Sequence, residues 1–571
     1  MPSIDAVDYA EARKNEISFL HRKIAEQNKR KKRMLFQRLP RSLRRRTASY
    51  LPKRVPRRFR DRAPAEGCQK PKKKSCRRKR RRQKEGLVEE KMNAEEGRWL
   101  ETHLWHAKRM RMETLWNHRI AVSSTDKTFK RTLKKGLEDC SIHDESYVQC
   151  VALGGERKDI EELLGKFLGG CTLSPHVSSH GVFQTENETV SEVYFCYLEK
   201  QVWMWVHCSA FSDVFHLLDN NKKDVHIRKI QAVSQIGLYG PNADERLCSV
   251  VRLADRQGHV LSKKEEKEFL SSKKQESVFA GRCIDPRLGF PMYSSDHGEG
   301  QAAHGLDDSS IMSEELRRES KEKKTSEGEI NKRREKNEVP GTGLSYRAGD
   351  ETVPVMILKK GFGSTRERFS VVVPAGWGMV FWRCFVYQRV GVCGQRDIRQ
   401  LGLELGIPQF PFDYAGTKAQ QEYTSREKAL SEGKELSKPP GKRTNYTKNG
   451  IENPFSAVER GRIKTPGQSN SSEKDGVLFI EVVSVSKGVP KEHARIYLPE
   501  DTECSDRSAV GRVTSGGYSH TRGRGFGLGV LTQPSLFPPL ERKDTIRIRF
   551  RNICSKICFD GEMCLGRAVT G

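Results

Sequence analysis

Residues 513–529 read VTSGGYSHTRGRGFGLG. Gly523, Gly525, Gly527 and Gly529 form a series that resembles a phosphate-cradling fingerprint, but such a fingerprint follows a strand and opens a helix. Here the glycines run into the apolar stretch GFGLGVL. They are therefore expected in a strand or turn packed too closely to admit side chains, with Arg522 and Arg524 placed to reach phosphate. Around this stretch, 476–571 supplies GVLFIEVVSVSKG, HARIYLP and DTIRIRFRNICSKI, strands and turns with no clear helix. A C-terminal β-barrel or sandwich is expected.

Upstream, 148–297 has the pattern of the first half of an α/β body. VQCVALGG reads as a strand, DIEELLGKF as a helix, VYFCYL and QVWMWVH as alternating strands, and SAFSDVFHLLD as a helix capped by Ser209. Trp203 and Trp205 belong to a core or sheet face. Residues 339–431 contain VPVMILKK, FSVVVPAGWGMVFWRCFVYQRVGVCG and FPFDY, a central β and aromatic region. Between these parts, 298–338 is charged, serine-rich and poor in aliphatics, the composition of a disordered insert. A polar linker with the basic piece KPPGKRTNYTKNG occupies 432–475.

Residues 85–147 are expected to be largely helical. EEGRWLETHLWHAKRMRMETLWNH, from Glu95 to His118, places apolar side chains nearly all round a helical wheel, which requires burial. Lys108, Arg109 and Arg111 lie among them, so a helix buried partly against protein and partly against a polyanion is expected. His103 and His106 are read first as ordinary packed histidines.

The charge is concentrated in 1–84. The 571 residues carry 104 Lys or Arg against 74 Asp or Glu, a net of +30. Between Arg22 and Lys84 there are 29 basic residues and three acidic ones, so that segment holds +26 and the other 508 residues about +4. Only 35% of residues are hydrophobic and the mean hydropathy is −0.71, which implies unpacked segments. Pro40, Pro52 and Pro56 break helices in the arm. Tyr50 and Phe59 sit among Arg44, Arg45, Arg46, Lys53, Arg54, Arg57, Arg58 and Arg60, a mixture suited to phosphate contact and stacking on unpaired bases. PKKKSCRRKRRRQK, with Arg78, Lys79 and Arg80, suits nuclear import. No run of 18 apolar residues and no signal-peptide core is present, so a soluble intracellular protein without a membrane partner is expected. The 15 cysteines show no disulfide framework and no repeated C-x-x-C spacing, so no metal site is expected. There is likewise no nucleophile elbow, H-E-x-x-H or Walker loop.

Several stretches, in order, resemble the largest protein subunit of eukaryotic ribonuclease P and ribonuclease MRP, the Processing of Precursor RNAs 1 family. They are RRRTASYLPKRVPRRFR, WLETHLWHAKRMRM, DPRL at Asp285, VPVMILKK with PAGWGMVFWRCFVYQRVGVCG, FPFDY, KRTNYTKNG with NPF, and GRVTSGGYSHTRGRGFGLG. Two departures stand out. The family's usual Trp-Gly-Tyr turn is replaced by Trp116, Asn117 and His118, and the charged insert replaces the region after DPRL.

The resemblance implies an α+β fold with an aminomethyltransferase-like body, a C-terminal β-barrel and an extended basic N-terminal arm. IGLYGPNADERL (236–247) and 513–529 resemble that fold's two glycine-bearing motifs, although fold does not carry folate chemistry with it. It also implies a non-catalytic, RNA-scaffolding role in tRNA 5′-leader removal and precursor rRNA processing, in nucleus and nucleolus. The partners would be ribonuclease P RNA, ribonuclease MRP RNA and the other protein subunits, with precursor tRNA met indirectly. No cofactor is expected, magnesium belonging to the RNA. Besides the arm residues named above, Trp99, His103, Trp105, His106, Lys108, Arg109, Lys442, Arg443, Tyr446, Arg522 and Arg524 are the candidate RNA contacts. A folate-dependent aminomethyl or methyl transferase with an RNA-binding extension, and a nucleolar ribosome-assembly factor, remain as alternatives.

Overall fold

The computed structural model describes residues 5–29, 57, 87–199, 201–254, 276–290, 309–337, 343–344, 346–347, 350–361, 367–438, 443–446, 449, 451, 454–455, 462–464, 477–537 and 544–566. The chain divides into two units, 1–87 and 88–571.

In the first unit, Asp5 caps a helix at Ala6–Ala12 through the Val7 N–H, and a second helix spans Lys14–Lys29. Arg57 is exposed. Arg44, Arg45, Arg46, Tyr50, Lys53, Arg54, Arg58, Arg60, Arg78, Lys79 and Arg80 lie outside the described residues.

The second unit stacks two sheets between layers of helices. An antiparallel five-stranded sheet runs in the order 178–184, 189–198, 201–206, 149–154, 226–230. Strand alternation divides its side chains. Val151, Leu153, Val202, Met204 and Val206 pack with helices Arg157–Leu168 and Phe211–Asn221, through Ile160, Leu163, Leu164, Phe167, Val214 and Leu218. Cys150, Ala152, Trp203 and Trp205 face the other way, onto Val278, Ala280, Met356, Leu358 and Val372. Those residues belong to a seven-stranded sheet ordered 253–254, 278–284, 352–361, 367–374, 233–239, 141–144, 391–392. Its far face carries Ile236, Leu238, Val353, Val355, Ile357 and Val371 against helices Ala243–Val250 and Gly378–Tyr387.

The C-terminal region is a closed barrel. Its six strands run 477–484, 524–531, 511–519, 495–497, 546–551 and 558–565, and the last pairs with the first at Ile480↔Leu565. Ile480, Val482, Ile496, Val513, Ile548, Phe550 and Met563 fill it. The mixed α and β content and the C-terminal barrel agree with expectation. Three glycines of the series are close-packed as anticipated: a Cβ on Gly525 would lie 2.5 Å from the Gly488 carbonyl oxygen, one on Gly527 3.2 Å from that of Ser515, and one on Gly529 2.7 Å from that of Arg512. Gly523 instead has open space around it and serves the turn through its φ of +67°.

Three expectations are corrected. Glu95–His118 is not one helix: a single helical turn, His103–His106, is followed by an antiparallel hairpin of Met110–Leu115 and His118–Ser124. In the strand, Met110 is buried and Arg111 exposed, a period of two hidden inside an all-round apolar wheel. Among the described residues of 85–147, only Leu87–Met92, His103–His106 and Phe129–Glu138 are helical. The hairpin turns at Trp116 (φ +48°) and Asn117 (φ +60°). Asn tolerates the left-handed region that a Gly in this place would also occupy, so the departure from Trp-Gly-Tyr preserves the turn.

Second, the insert expected to be disordered contains helices Glu314–Glu322 and Glu327–Glu335, preceded by a 3-10 turn at Ser309–Met312. It docks by long cationic side chains where aliphatics are scarce. Arg317, 3% exposed, donates to the Ile311 and Met312 carbonyls and sits 5.7 Å from the Trp203 ring centroid. Lys324 sits 5.0 Å from that of Trp377. Ile311, Met312 and Ile330 supply the buried apolar contacts. The DPRL motif fastens this segment. Arg287 forms a buried fork with Asp285, at 3.0 and 2.6 Å, and reaches the Thr325 carbonyl and Glu327. Third, Ser209 is not the helix cap. Ala210 occupies that position and the Ser209 hydroxyl pairs with His207 Nδ1 at 2.7 Å.

Among the described residues, no helix is long and apolar enough to cross a membrane, and no group of three His, Cys, Asp or Glu is placed to hold a metal ion.

Candidate nucleic-acid interface

The two tryptophan-bearing strings of the sequence meet in the fold. Pro374 ends a strand, Gly376 turns the chain at φ +94°, and Trp377 begins the helix Gly378–Tyr387. The carboxylate of Glu101, from WLETHLWHAKR, accepts the Gly376 N–H. A Cβ on Gly378 would stand 2.8 Å from Glu101 Oε2 and 2.7 Å from Ser234 Oγ, so the glycine of PAGWGM makes room for that carboxylate. Burial raises the Glu101 pKa. Beside it, the Thr102 hydroxyl donates to Asp144.

The rings of the first string are committed to protein. Trp99 stacks on His103 at 4.1 Å, while Trp105 and His106 contact Trp382 at 5.6 and 4.7 Å. His103 and His106 are buried, and burial pushes both pKa values down to about 4, so each ring is neutral at pH 7. The cations differ. Lys108 and Arg109 are exposed, with the Arg109 guanidinium 4.4 Å from the Trp105 centroid and donating to the Trp105 carbonyl. The string thus fixes the fold with its rings and presents its cations to solvent.

The remaining candidates divide in the same way. Arg443 is exposed and donates to the Leu436 and Lys438 carbonyls at the end of helix Lys418–Leu436. Tyr446 is partly buried, 6.1 Å from Phe455, which in turn lies 5.4 Å from His493. Lys442 lies outside the described residues. Arg522 is held over Phe526 at 3.7 Å and donates to the Glu404 carbonyl, whereas Arg524 is exposed. Against the tip between strands 511–519 and 524–531, Glu404 of helix Gln395–Leu405 is buried, which opposes ionisation. Hydrogen bonds from Ser519 and from the His520 and Thr521 backbone nonetheless hold its pKa below the ordinary carboxylate value. The exposed groups nearby are Tyr518, His520 and Arg524.

The barrel is seated on the rest of the second unit by Arg399, which carries no sequence signature of its own, and by Asp413, which does. Arg399 donates to Ser515 Oγ, the Thr514 carbonyl, Glu492 and the Tyr423 hydroxyl, all within 3.1 Å, and lies over Phe412. Asp413, of FPFDY, accepts the Thr514 hydroxyl. Deeper in the same unit, Glu145 accepts from Arg368, Tyr239, Gln235 and Ser370. A polar cavity of about 80 Å³ adjoins it, lined also by Glu192, Tyr194, His207 and Lys360. Burial presses the Glu145 pKa upward, but the Arg368 and Lys360 charges overcome this and hold it well below the ordinary value.

Three family descriptions match the chain in order. "Ribonucleases P/MRP protein subunit POP1, N-terminal" matches 9–98 and 90–156, the POPLD (NUC188) domain 368–458, and the POP1 C-terminal domain 501–558. Together they cover just over half of the residues.

The chain belongs to the POP1 family.

Its POP1 relatives are distant in sequence. The Homo sapiens protein named ribonucleases P/MRP protein subunit POP1 is 22% identical over 79% of this chain and 59% of its own length. Its Saccharomyces cerevisiae namesake is 26% identical over 61% of this chain and 46% of its own length. For the Schizosaccharomyces pombe protein the values are 22%, 88% and 83%. The chain thus spans about three-fifths of the human relative. Among solved structures, the glycine cleavage system aminomethyltransferase T from Bartonella henselae aligns with 82% of this POP1-family chain and 97% of that chain, at 12% identity and a TM-score of 0.47.

Proposed function

We propose that this chain is an RNA-scaffolding subunit of ribonuclease P and ribonuclease MRP, supporting 5′-leader removal from precursor tRNA and the processing of precursor ribosomal RNA. The observation that carries this is the ordered set of POP1-family matches, the first of which encloses the arm that holds +26. Packed RNA helices repel one another, and an extended polycation relieves that repulsion by displacing counterions from phosphates. An arm that orders on binding loses conformational entropy and is compensated by many phosphate contacts. The chain holds RNA, while phosphodiester hydrolysis and its magnesium ions belong to the RNA and no cofactor is needed by the protein. Its partners are the two RNAs and neighbouring protein subunits, precursor tRNA is met indirectly, and the basic run at Pro71–Lys84 directs it to the nucleus and nucleolus.

The test is immunoprecipitation of the full chain followed by sequencing of the bound RNA. Enrichment of ribonuclease P and MRP RNAs is expected, and its absence overturns the proposal. Depletion is expected to leave 5′-extended precursor tRNAs, which separates this role from ribosome assembly. Titration with tetrahydrofolate is expected to show no specific binding, against the transferase alternative.

A further inference from the structure

A basic strip lies on the folded second unit, outside the arm. The helix Phe129–Glu138 buries Thr132, Leu133 and Gly136 and turns Lys130, Arg131 and Lys134 outward, with Lys127 just ahead of it. Its first turn contains no acid. Positive charge there opposes the helix dipole, so local helix stability does not explain these residues.

Neighbouring elements extend the strip. Helix Gln395–Leu405 packs on both this helix and strand His118–Ser124, and sets the exposed Arg396 over the Phe129 ring at 4.9 Å. The Arg109 carbonyl accepts the Thr125 N–H, which brings exposed Lys108, Arg109 and Arg111 to the same end. Among the described residues, Lys108, Arg111, Lys127, Lys130, Arg131 and Arg396 have no ion-pair partner. Lys134 pairs with Glu138 at 3.5 Å, both side chains being largely exposed, and Arg396 lies within electrostatic reach of its neighbour Asp397.

The two rings within the strip, Trp105 and Phe129, are each covered by a guanidinium. A face of each ring is thus taken by a cation of the strip rather than left for a base. A rigid row of cations with its rings so engaged matches the backbone of a paired helix, which proteins recognise by shape and phosphate, rather than unpaired bases. We infer that this strip docks the phosphate backbone of a base-paired RNA helix, leaving unpaired RNA to the aromatic-bearing arm. The inference rests on the RNA-scaffold reading and adds to it a second contact with a different RNA form.

The test uses the full chain, a fully paired RNA duplex and a single strand of the same length, titrated at several salt concentrations. The K127E/K130E/R131E variant is expected to lose at least tenfold in duplex affinity and to flatten the salt slope by about two to three, roughly one unit per phosphate contact removed. Single-strand affinity is expected to stay within twofold. K127Q/K130Q/R131Q, with an unchanged melting curve, is expected to show a smaller loss in the same direction. Unchanged duplex affinity, equal loss for both RNAs, or loss of an acidic protein partner with duplex binding intact would overturn the inference while leaving the scaffold reading in place. A parent chain that binds neither RNA would overturn both.

Discussion

The indole of Trp105 meets that of Trp382 edge to face, with centroids 5.6 Å apart and planes at 73°. One residue comes from the WHAKR string, the other from the centre of the chain. Trp382→Ala is expected to cost about 3–5 kcal/mol, since its side chain is fully buried. Trp105→Ala should cost less, and the double variant should reveal about 0.5–1.5 kcal/mol of coupling. Urea unfolding of the four proteins measures this, and additive losses would show that the pair does not interact.

Acid should loosen the same joint. Burial keeps His106 neutral with a pKa of about 4, against about 6.5 when unfolded. Its contribution is complete above pH 6.5 and is lost as pH falls through 4, amounting to about 3 kcal/mol for this one group. His106→Gln is expected to flatten the dependence of the urea midpoint on pH between those limits. A slope equal to the parent's would mean that the ring takes up its proton without penalty.

Arg287 should control the docked insert. Arg287→Ala leaves Asp285 buried without its fork, a change that typically costs about 3–5 kcal/mol, and frees the Thr325 carbonyl and Glu327. Limited proteolysis is expected to cut first within 309–337. Persistent protection of that segment would assign its docking to Arg317 and Lys324 instead.

Two glycines should respond oppositely to alanine. At Gly525 the new methyl would meet the Gly488 carbonyl at 2.5 Å, so a loss of about 1–3 kcal/mol is expected. At Gly165, inside helix Arg157–Leu168, nothing lies within 4 Å, and a gain of about 0.5–1 kcal/mol is expected. Thermal melts of the two variants decide both.

In the arm, replacing Arg44, Arg45, Arg46, Arg57 and Arg58 with Ala is expected to lower RNA affinity and flatten its salt dependence without shifting the melting transition. An unchanged salt slope would argue against phosphate contact by these residues.

The sheets, the barrel and the close-packed glycines were legible because alternation and glycine spacing are local properties of the chain. The helical turn and hairpin at 103–124 were not, because Trp, Met and Arg at every position satisfy a helical wheel and a pleat equally well. Only the left-handed turn at Trp116 and Asn117 decides between them. The insert misled for another reason. Composition counts aliphatics, whereas Arg317 and Lys324 dock their cations against tryptophans supplied by distant strands and turns. Arg399 had no visible signal, since its partners on the barrel and on the 410–423 segment are assembled only by folding.

The seam between 477–484 and 558–565 has a consequence for assembly. Among the described residues each of the six barrel strands has a hydrogen-bonded neighbour on both sides, and the short strand Ile463–Lys464 already occupies the start of 477–484, so little edge is left to which a neighbour could add a strand. A protein that docks on this region must recognise side chains and loop conformations. Its fit is therefore set by surface chemistry that can change from one lineage to another without disturbing the barrel's hydrogen-bonded frame.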